Sequence, residues 1–420
     1  MNKLKKYALS SLYDMSSGIS STKEQAGHGS PFVAFGTVFN NYFLPDELPD
    51  LMDTSAKEQE VYSIKKGDIL ITRTSETIDE LAMSCVAAKD YPCATYSGFT
   101  KRLRPKTEGI AYYKYMAFYL RSAWFRKAVT NNAFMTLRAS FNEDIFSFLN
   151  VYLPDYDVQV RIGDFLYSIE QKIGVNKRIC AELESMAKTI YDYWFTQFDF
   201  PDADGKPYHS SGGAMEWCKQ LKRSIPKGWR SGTISSLMKI ENTSVNPKKY
   251  GNTVMEHYSI PAFDVDRCPV YEEAYTIESG KYAVDPECIL VSKLNPHFKR
   301  LWDPFCDTEE AICSTEFIVY RPVTVWTRPF CYAVLNSDAF YVHMSSKATA
   351  STGSRKRIQP DVSASFELPI PDEGTMRSFV ELYSPIMEKQ KALYKENREL
   401  KKLRDWLLPM LMNGQATVTE

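Results

Sequence analysis

A run of apolar residues spaced alternately four and three apart constrains this chain more than any other feature. Its members are Ile162, Leu166, Ile169, Ile173, Asn176, Cys180, Leu183, Ala187, Ile190 and Trp194, and Asn176 is the one polar member. Such spacing lays a narrow apolar seam along one side of a helix, the pattern of a coiled coil. At about 1.5 Å of rise per residue the seam extends for about 48 Å. A seam of that length needs a partner helix.

A near-repetition in the chain supplies that partner. LSSLYDM (9–15) resembles ISSLMKI (234–240), an offset of 225. GDILITR (67–73) resembles ECILVSK (287–293) at 220. SGFTKRLRP (97–105) ends like STEFIVYRP (314–322), and VYLPD (151–155) falls opposite LPIPD (368–372), both at 217. The offset shrinks and then holds, as a duplication with small insertions in its first copy requires. Carried forward by 217, the seam becomes Phe379, Tyr383, Ile386, Gln390, Leu393, Asn397, Leu400, Arg404, Leu407 and Leu411. Full antiparallel overlap then sets Asn176 against Asn397. A buried polar pair of that kind fixes register and orientation at some cost in stability, and two solvated seam defects are the other reading.

The expected layout is module, helix, module, helix. Residues 1–155 form a first mixed module and 156–200 the first helix, which follows Pro154. Residues 201–224 are a Pro- and Gly-marked connector, 225–371 a second module, 372–414 the second helix and 415–420 a loose tail. Within the first module, Gly67 and Asp68 predict a turn before a buried ILI strand, and 112–129 has helical character. The fold class is α+β: two mixed α/β modules in a pseudo-twofold arrangement, joined by two long antiparallel coiled-coil helices.

Several chemistries find no support. Nine scattered cysteines without a CxxC pair fit a reducing cytosol, and a cytoplasmic location is expected. The five histidines make no ligand cluster, so no metal site is expected. The N-terminus has no apolar core for a signal peptide, and no apolar run is long enough to span a membrane. GxSxG, GxxxxGK[ST] and HExxH are all missing. SVNPKKY (244–250) has one proline where an adenine methyltransferase motif has two, and no FxGxG loop accompanies it. Glu60, Lys65, Lys66 and Asp68 do not follow the order of a metal-dependent nuclease core. No catalytic residue is assigned.

Net charge is −1, so any nucleic-acid surface must be local. From Tyr96 to Arg138 there are nine basic residues and one acid, interleaved with aromatics. Lys101, Arg102, Arg104 and Arg138 are the candidate DNA contacts there. The stretch MSSKATASTGSRKRIQP (344–360) has the composition of a flexible polar loop, and Lys347, Arg355, Lys356 and Arg357 are its candidates. Arg73 and Lys293, which end the matched segments GDILITR and ECILVSK, complete the set. Arg138 and Arg355 fall in equivalent places at the offset of 217. A basic stretch is most often a solvated face, and the tyrosines of 112–119 read better as core than as base-stacking groups. Trp194, Phe195 and Phe198 read as closing the helix end against a module.

These residues form a pattern that resembles the specificity subunit of type I restriction–modification systems. The carrying segments are LYSIEQKIGVNKRICAELESMAKTIYDYWFTQFDFP (166–201), IPKGW (225–229), the LP and IPxP lead-ins to the two helices, and TGSRKRIQ (352–359). Gln159 matches the family's glutamine after the proline lead-in, whereas Arg377 stands near that place in the second half. The resemblance implies two target recognition domains, each reading one half of a bipartite DNA site, and a helical spacer that sets the gap. It implies docking of methyltransferase subunits, two in number, on the helices; the helix faces beyond the seam, with Tyr191, Tyr193 and Phe195, are the partner surface expected from the residues themselves. Restriction/translocase subunits would join through the methyltransferase subunits. S-adenosylmethionine, ATP and magnesium would belong to those partners, and this chain would be a non-catalytic reader of double-stranded DNA. The alternatives are a stand-alone methyltransferase with degenerate motifs and an adaptor that binds no DNA.

Overall fold

A computed structural model describes residues 4–75, 80–132, 139–352 and 355–418. The chain forms two compact units, Met1–Gly174 with Glu399–Glu420, and Val175–Arg398. The expected layout kept the helices apart as segments 156–200 and 372–414. In the structure each long helix is instead divided between the units, because each module buries its apolar surface against the stretch of both helices beside it.

In the first unit a four-stranded antiparallel sheet runs in the order Tyr13–Ser17, Thr100–Pro105, Ile69–Thr72, Ser84–Val86. Its central strand, ILIT, is buried along its whole length, as a continuous apolar run in a covered sheet should be. Lys5–Ala8 pairs antiparallel with Asn150–Leu153. The turn expected at Lys65–Asp68 is present: Gly67 has φ +86°, and the Asp68 carboxylate accepts the Lys65 N–H at 2.7 Å. The helical character of 112–129 resolves into two helices, Tyr113–Tyr119 and Ala123–Asn132. Tyr115 and Tyr119 are core residues, as expected.

The second unit repeats this scheme. Its antiparallel sheet runs Met238–Ile240, Phe317–Pro322, Ile289–Ser292, Leu301–Trp302. Arg230–Thr233 pairs with Glu367–Ile370. Each sequence match across the halves therefore lands on the same element of each module. Even the parallel pairing Val33–Tyr96 in the first outer sheet has its counterpart in Tyr258–Cys313. The outer sheets themselves diverge, with three strands in the first unit and five in the second among the described residues.

The first long helix spans Tyr156–Tyr191 and continues as a π-helical turn, Asp192–Thr196. The second spans Glu373–Met412, capped by Asp372, whose carboxylate accepts the Thr375 N–H at 3.0 Å. Within the first unit Ile162, Leu166, Ile169 and Ile173 are buried with Leu408 and Leu411, and Leu400 and Leu407 pack half-buried against them. Within the second unit Ala187 and Trp194 are buried with Phe379, Tyr383 and Ile386, flanked by Leu183 and Ile190. Leu393 is buried as well. The helices run antiparallel, since partner numbers rise on one as they fall on the other. The polar seam members are paired rather than solvated. Asn176 donates to the Asn397 side-chain carbonyl at 2.9 Å, Gln390 donates to the Cys180 carbonyl at 3.1 Å, and Arg404 bonds Glu170.

Each module is tied to its helices by specific contacts. Gln159, buried, donates to the Ile110 and Pro154 carbonyls and accepts the Tyr112 N–H, each at 2.9 Å. Gly163 lets the helix Tyr113–Tyr119 approach so closely that a Cβ there would sit 2.7 Å from the Tyr115 nitrogen. In the second unit Asp303 pairs with Lys391 at 3.2 Å, and Asp307 pairs with Lys395 and Arg398 at 2.5 and 2.8 Å. The loop carrying Asp307 is shaped by Glu256. This buried carboxylate accepts the N–H groups of Cys306, Asp307 and Thr308 and the Tyr258 hydroxyl.

Asn176→Leu alone leaves the buried Asn397 amide facing a leucine. It is expected to lower stability by about 1–3 kcal/mol in urea unfolding. Adding Asn397→Leu is expected to restore most of that loss.

Candidate nucleic-acid interface

Two basic residues occupy the same backbone position in the two modules. Arg73 follows the central strand Ile69–Thr72, and Lys293 follows Ile289–Ser292. The Arg73 N–H donates to the Phe99 carbonyl at 2.8 Å, and its carbonyl accepts the Phe141 N–H at 2.7 Å. The Lys293 N–H donates to the Glu316 carbonyl at 2.9 Å, and its carbonyl accepts the Ile358 N–H at 3.2 Å. The next residues correspond too: Thr74 lies opposite Ser140, and Leu294 opposite Arg357. Three separate chain segments thus converge on one residue in each module. Arg73 is exposed and Lys293 half-buried, and neither forms an ion pair among the described residues.

Most of the other candidate arginines are spent inside the fold. Arg102 is only 8% exposed; its guanidinium donates to the Ser63 carbonyl at 2.6 Å and lies over the Tyr96 ring. Arg104 bonds both oxygens of the buried Asp68 carboxylate, at 2.8 and 2.6 Å, and this bonding raises its own pKa. Arg357 forms a forked pair with Glu316, at 2.8 to 3.2 Å. Carboxylates and carbonyls distant in sequence engage Arg102, Arg104 and Arg357, three of the expected DNA contacts. Lys101 is largely covered, 3.9 Å from Glu143. Lys347, Arg355 and Lys356 are exposed. Arg138 lies outside the described residues.

The segment expected as a flexible loop is ordered differently. Lys347 ends a helix, Asp338–Lys347, and Thr349–Thr352 pairs antiparallel with Arg355–Arg357. The Lys356 N–H also donates to the Asn295 side chain at 2.9 Å, and the Lys356 carbonyl accepts the Asn295 N–H at 2.7 Å. Arg355 and Lys356 therefore stand on a hairpin anchored beside Lys293. Phe298 is exposed in the same region.

The surroundings of the two equivalent positions differ in chemistry. In the first module Arg73 adjoins Phe99, 65% exposed, and Ser140 lies across from its neighbour. In the second, Glu316 and Arg357 take those places. The Arg357 hydrogen bonds hold the Glu316 carboxyl below its ordinary value of 4.5. Guanidinium and ammonium groups can donate to guanine edges or phosphates, carboxylates accept from cytosine, and an exposed ring can meet a thymine methyl. Among the described residues no cluster of His, Cys, Asp and Glu could hold a metal ion, and no helix is long and apolar enough to cross a membrane. The sequence reading counted Phe99 among the aromatics interleaved with the basic residues, did not single out Phe298, and had no signal for Glu256. Of the suggested partner-facing residues on the first helix, Tyr193 is exposed. Phe195 is buried against Trp229, Phe330 and Phe379, which corrects its assignment to a partner surface.

Arg104→Met leaves Asp68 buried and unpaired, and a stability loss of about 3 kcal/mol is expected in urea unfolding. Lys356→Ala, at an exposed side chain, should unfold like the parent. A depressed carboxyl contributes stability that is present above its unfolded pKa and lost as pH falls through its folded one. The melting-temperature gap between the parent and Glu316→Gln should therefore persist at neutral pH and close as acidification protonates the lowered Glu316 carboxyl.

Residues 3–185 match the family of the type I restriction modification DNA specificity domain. The type I restriction enzyme MjaIX specificity subunit of Methanocaldococcus jannaschii is 23% identical over 385 residues, covering 88% of this chain and 82% of that protein. The HindI specificity subunit of Haemophilus influenzae is 22% identical over 463 residues, covering 91% and 94%. A crystal structure of the S subunit of a type I restriction–modification system from M. genitalium shares the fold, with a TM-score of 0.56 at 13% identity over 98% of this chain and 96% of that one. Residues 3–185 are therefore similar to the type I restriction modification DNA specificity domain, and over most of its length the chain is similar to specificity subunits of type I restriction enzymes.

Proposed function

We propose that this chain is the DNA specificity subunit of a type I restriction–modification complex and reads a split, asymmetric site, one module per half-site. The observation that carries this reading is the repeated mount at Arg73 and Lys293: one backbone geometry, two copies, different flanking side chains. Equal mounts suit two half-sites of equal kind. Unequal flanks suit two half-sites of different sequence. The two continuous helices between the modules act as the spacer, and the number of their residues sets the gap between half-sites. Their exposed apolar side chains, among them Tyr193, Leu403 and Trp406, receive two methyltransferase subunits, and the restriction subunits join through these. The chain itself is non-catalytic. S-adenosylmethionine, ATP and magnesium act on the partner subunits, and the complex works in the cytoplasm.

Selection from a random duplex pool by the chain assembled with its methyltransferase subunits should enrich two short motifs separated by a fixed gap. Enrichment of no motif would defeat the reading. Deleting one heptad from each helix should change the gap and leave both motifs as they were. The chain alone, given DNA and labelled S-adenosylmethionine, should transfer no methyl group; transfer would favour the enzyme alternative.

A further inference from the structure

Basic side chains in both modules are mostly cancelled by nearby carboxylates: Arg104 by Asp68, Arg357 by Glu316, Arg328 by Asp303. Arg73 and Lys293 form no ion pair among the described residues, although the Glu316 carboxylate lies near enough to Lys293 to feel its charge, and they share one mount. That mount is rigid. Thr72, just before Arg73, is buried and accepts the Met83 N–H on its hydroxyl at 2.9 Å. Ser292, just before Lys293, is buried and accepts the Leu294 N–H at 3.3 Å. A side chain that discriminates bases must be held closely in place, and a residue bonded through its own N–H and carbonyl to two other strands is so held.

The flanks argue for bases over phosphates. Glu316, whose carbonyl holds Lys293, has its carboxylate in a forked pair with Arg357, so the lysine is flanked by matched charges and not by a further free cation of the kind a phosphate site gathers. Phe99, whose carbonyl holds Arg73, offers a ring that suits a thymine methyl and gives a phosphate nothing.

Resting on the specificity-subunit reading above, we propose that Arg73 and Lys293 are the equivalent specificity-determining residues of the two modules, each contacting a base edge in its own half-site. Arg73, with its planar fork, takes both acceptors of a guanine. Lys293, a point donor, takes a single acceptor and leaves the adjoining contact to its neighbours.

The test uses the full-length chain assembled with its methyltransferase subunits and a random duplex pool, comparing the parent with Arg73→Ala, Arg73→Lys and Lys293→Ala. Arg73→Ala should make one position of one half-site degenerate, lowering discrimination there roughly 5- to 150-fold, with the other half-site intact. Lys293→Ala should do the same in the opposite half-site. Arg73→Lys, which keeps the charge and the mount, should lose part of that preference without a general loss of affinity. Uniform weakening across all sequences, with a shallower salt dependence, would mean a phosphate contact and overturn the assignment. Unchanged motifs in all three variants would overturn it as well. A parent that enriches no split motif defeats the underlying function instead, so the two failures are told apart.

Discussion

The hydrogen bond between Asn176 and Asn397 fixes the frame on which the rest depends. Both side chains sit in an apolar seam, where an amide without a partner is costly. Sliding one helix by a heptad would set Asn397 against Ile169 or Leu183 and Asn176 against Gln390 or Arg404, and so break the amide pair. The observed register joins the two amides, and it also aligns Gln390 with the Cys180 carbonyl and Arg404 with Glu170. Hydrophobic contacts along the seam supply most of the attraction, at about 1.5–3 kcal/mol for each well-buried aliphatic chain. They do not choose among registers; the polar members do.

On that frame the modules share an inner design and differ outside it. The four-stranded sheet, the strand pair that closes it and the Arg73/Lys293 mount recur, whereas the outer sheet grows from three strands to five. The anchoring chemistry differs as well. The first module meets its helix through Gln159, the close approach at Gly163 and one carboxylate on the helix, Asp164, which Lys114 and the Tyr112 hydroxyl bond at 2.6 and 2.8 Å. The second relies on aspartates 303 and 307 facing lysines and an arginine of the other helix. Desolvation of Asp307 works against its ionisation, yet the bonds from Lys395 and Arg398 hold its carboxyl below the ordinary value.

Much of this was legible because its signals are periodic or repeated. The seam could be read residue by residue, and so could the meeting of Asn176 with Asn397, because a heptad and a constant offset are properties of the sequence alone. The free basic surface was not legible. Arg102 and Arg104 lie in a run rich in positive charge, but the Ser63 carbonyl and Asp68 carboxylate that bind them come from a distant segment. MSSKATASTGSRKRIQP has loop composition, yet its threonines and arginines pair as strands because Asn295 and Glu316 anchor one side. The mount itself arises from backbone bonds among three segments, and side-chain identity records none of those bonds.

The division of the chain has a consequence for how the protein is made. The first unit contains Met1–Gly174 together with Glu399–Glu420, and Leu408, Leu411 and Met412 lie in its core beside Leu166 and Ile169. A ribosome releases the second unit's residues before it releases those last leucines. The module that begins first is therefore completed last, and until the final turns of helix arrive the apolar side of Ile162–Ile173 stays open to water. The newborn first module is a half-built core waiting on a stretch of chain made more than two hundred residues later.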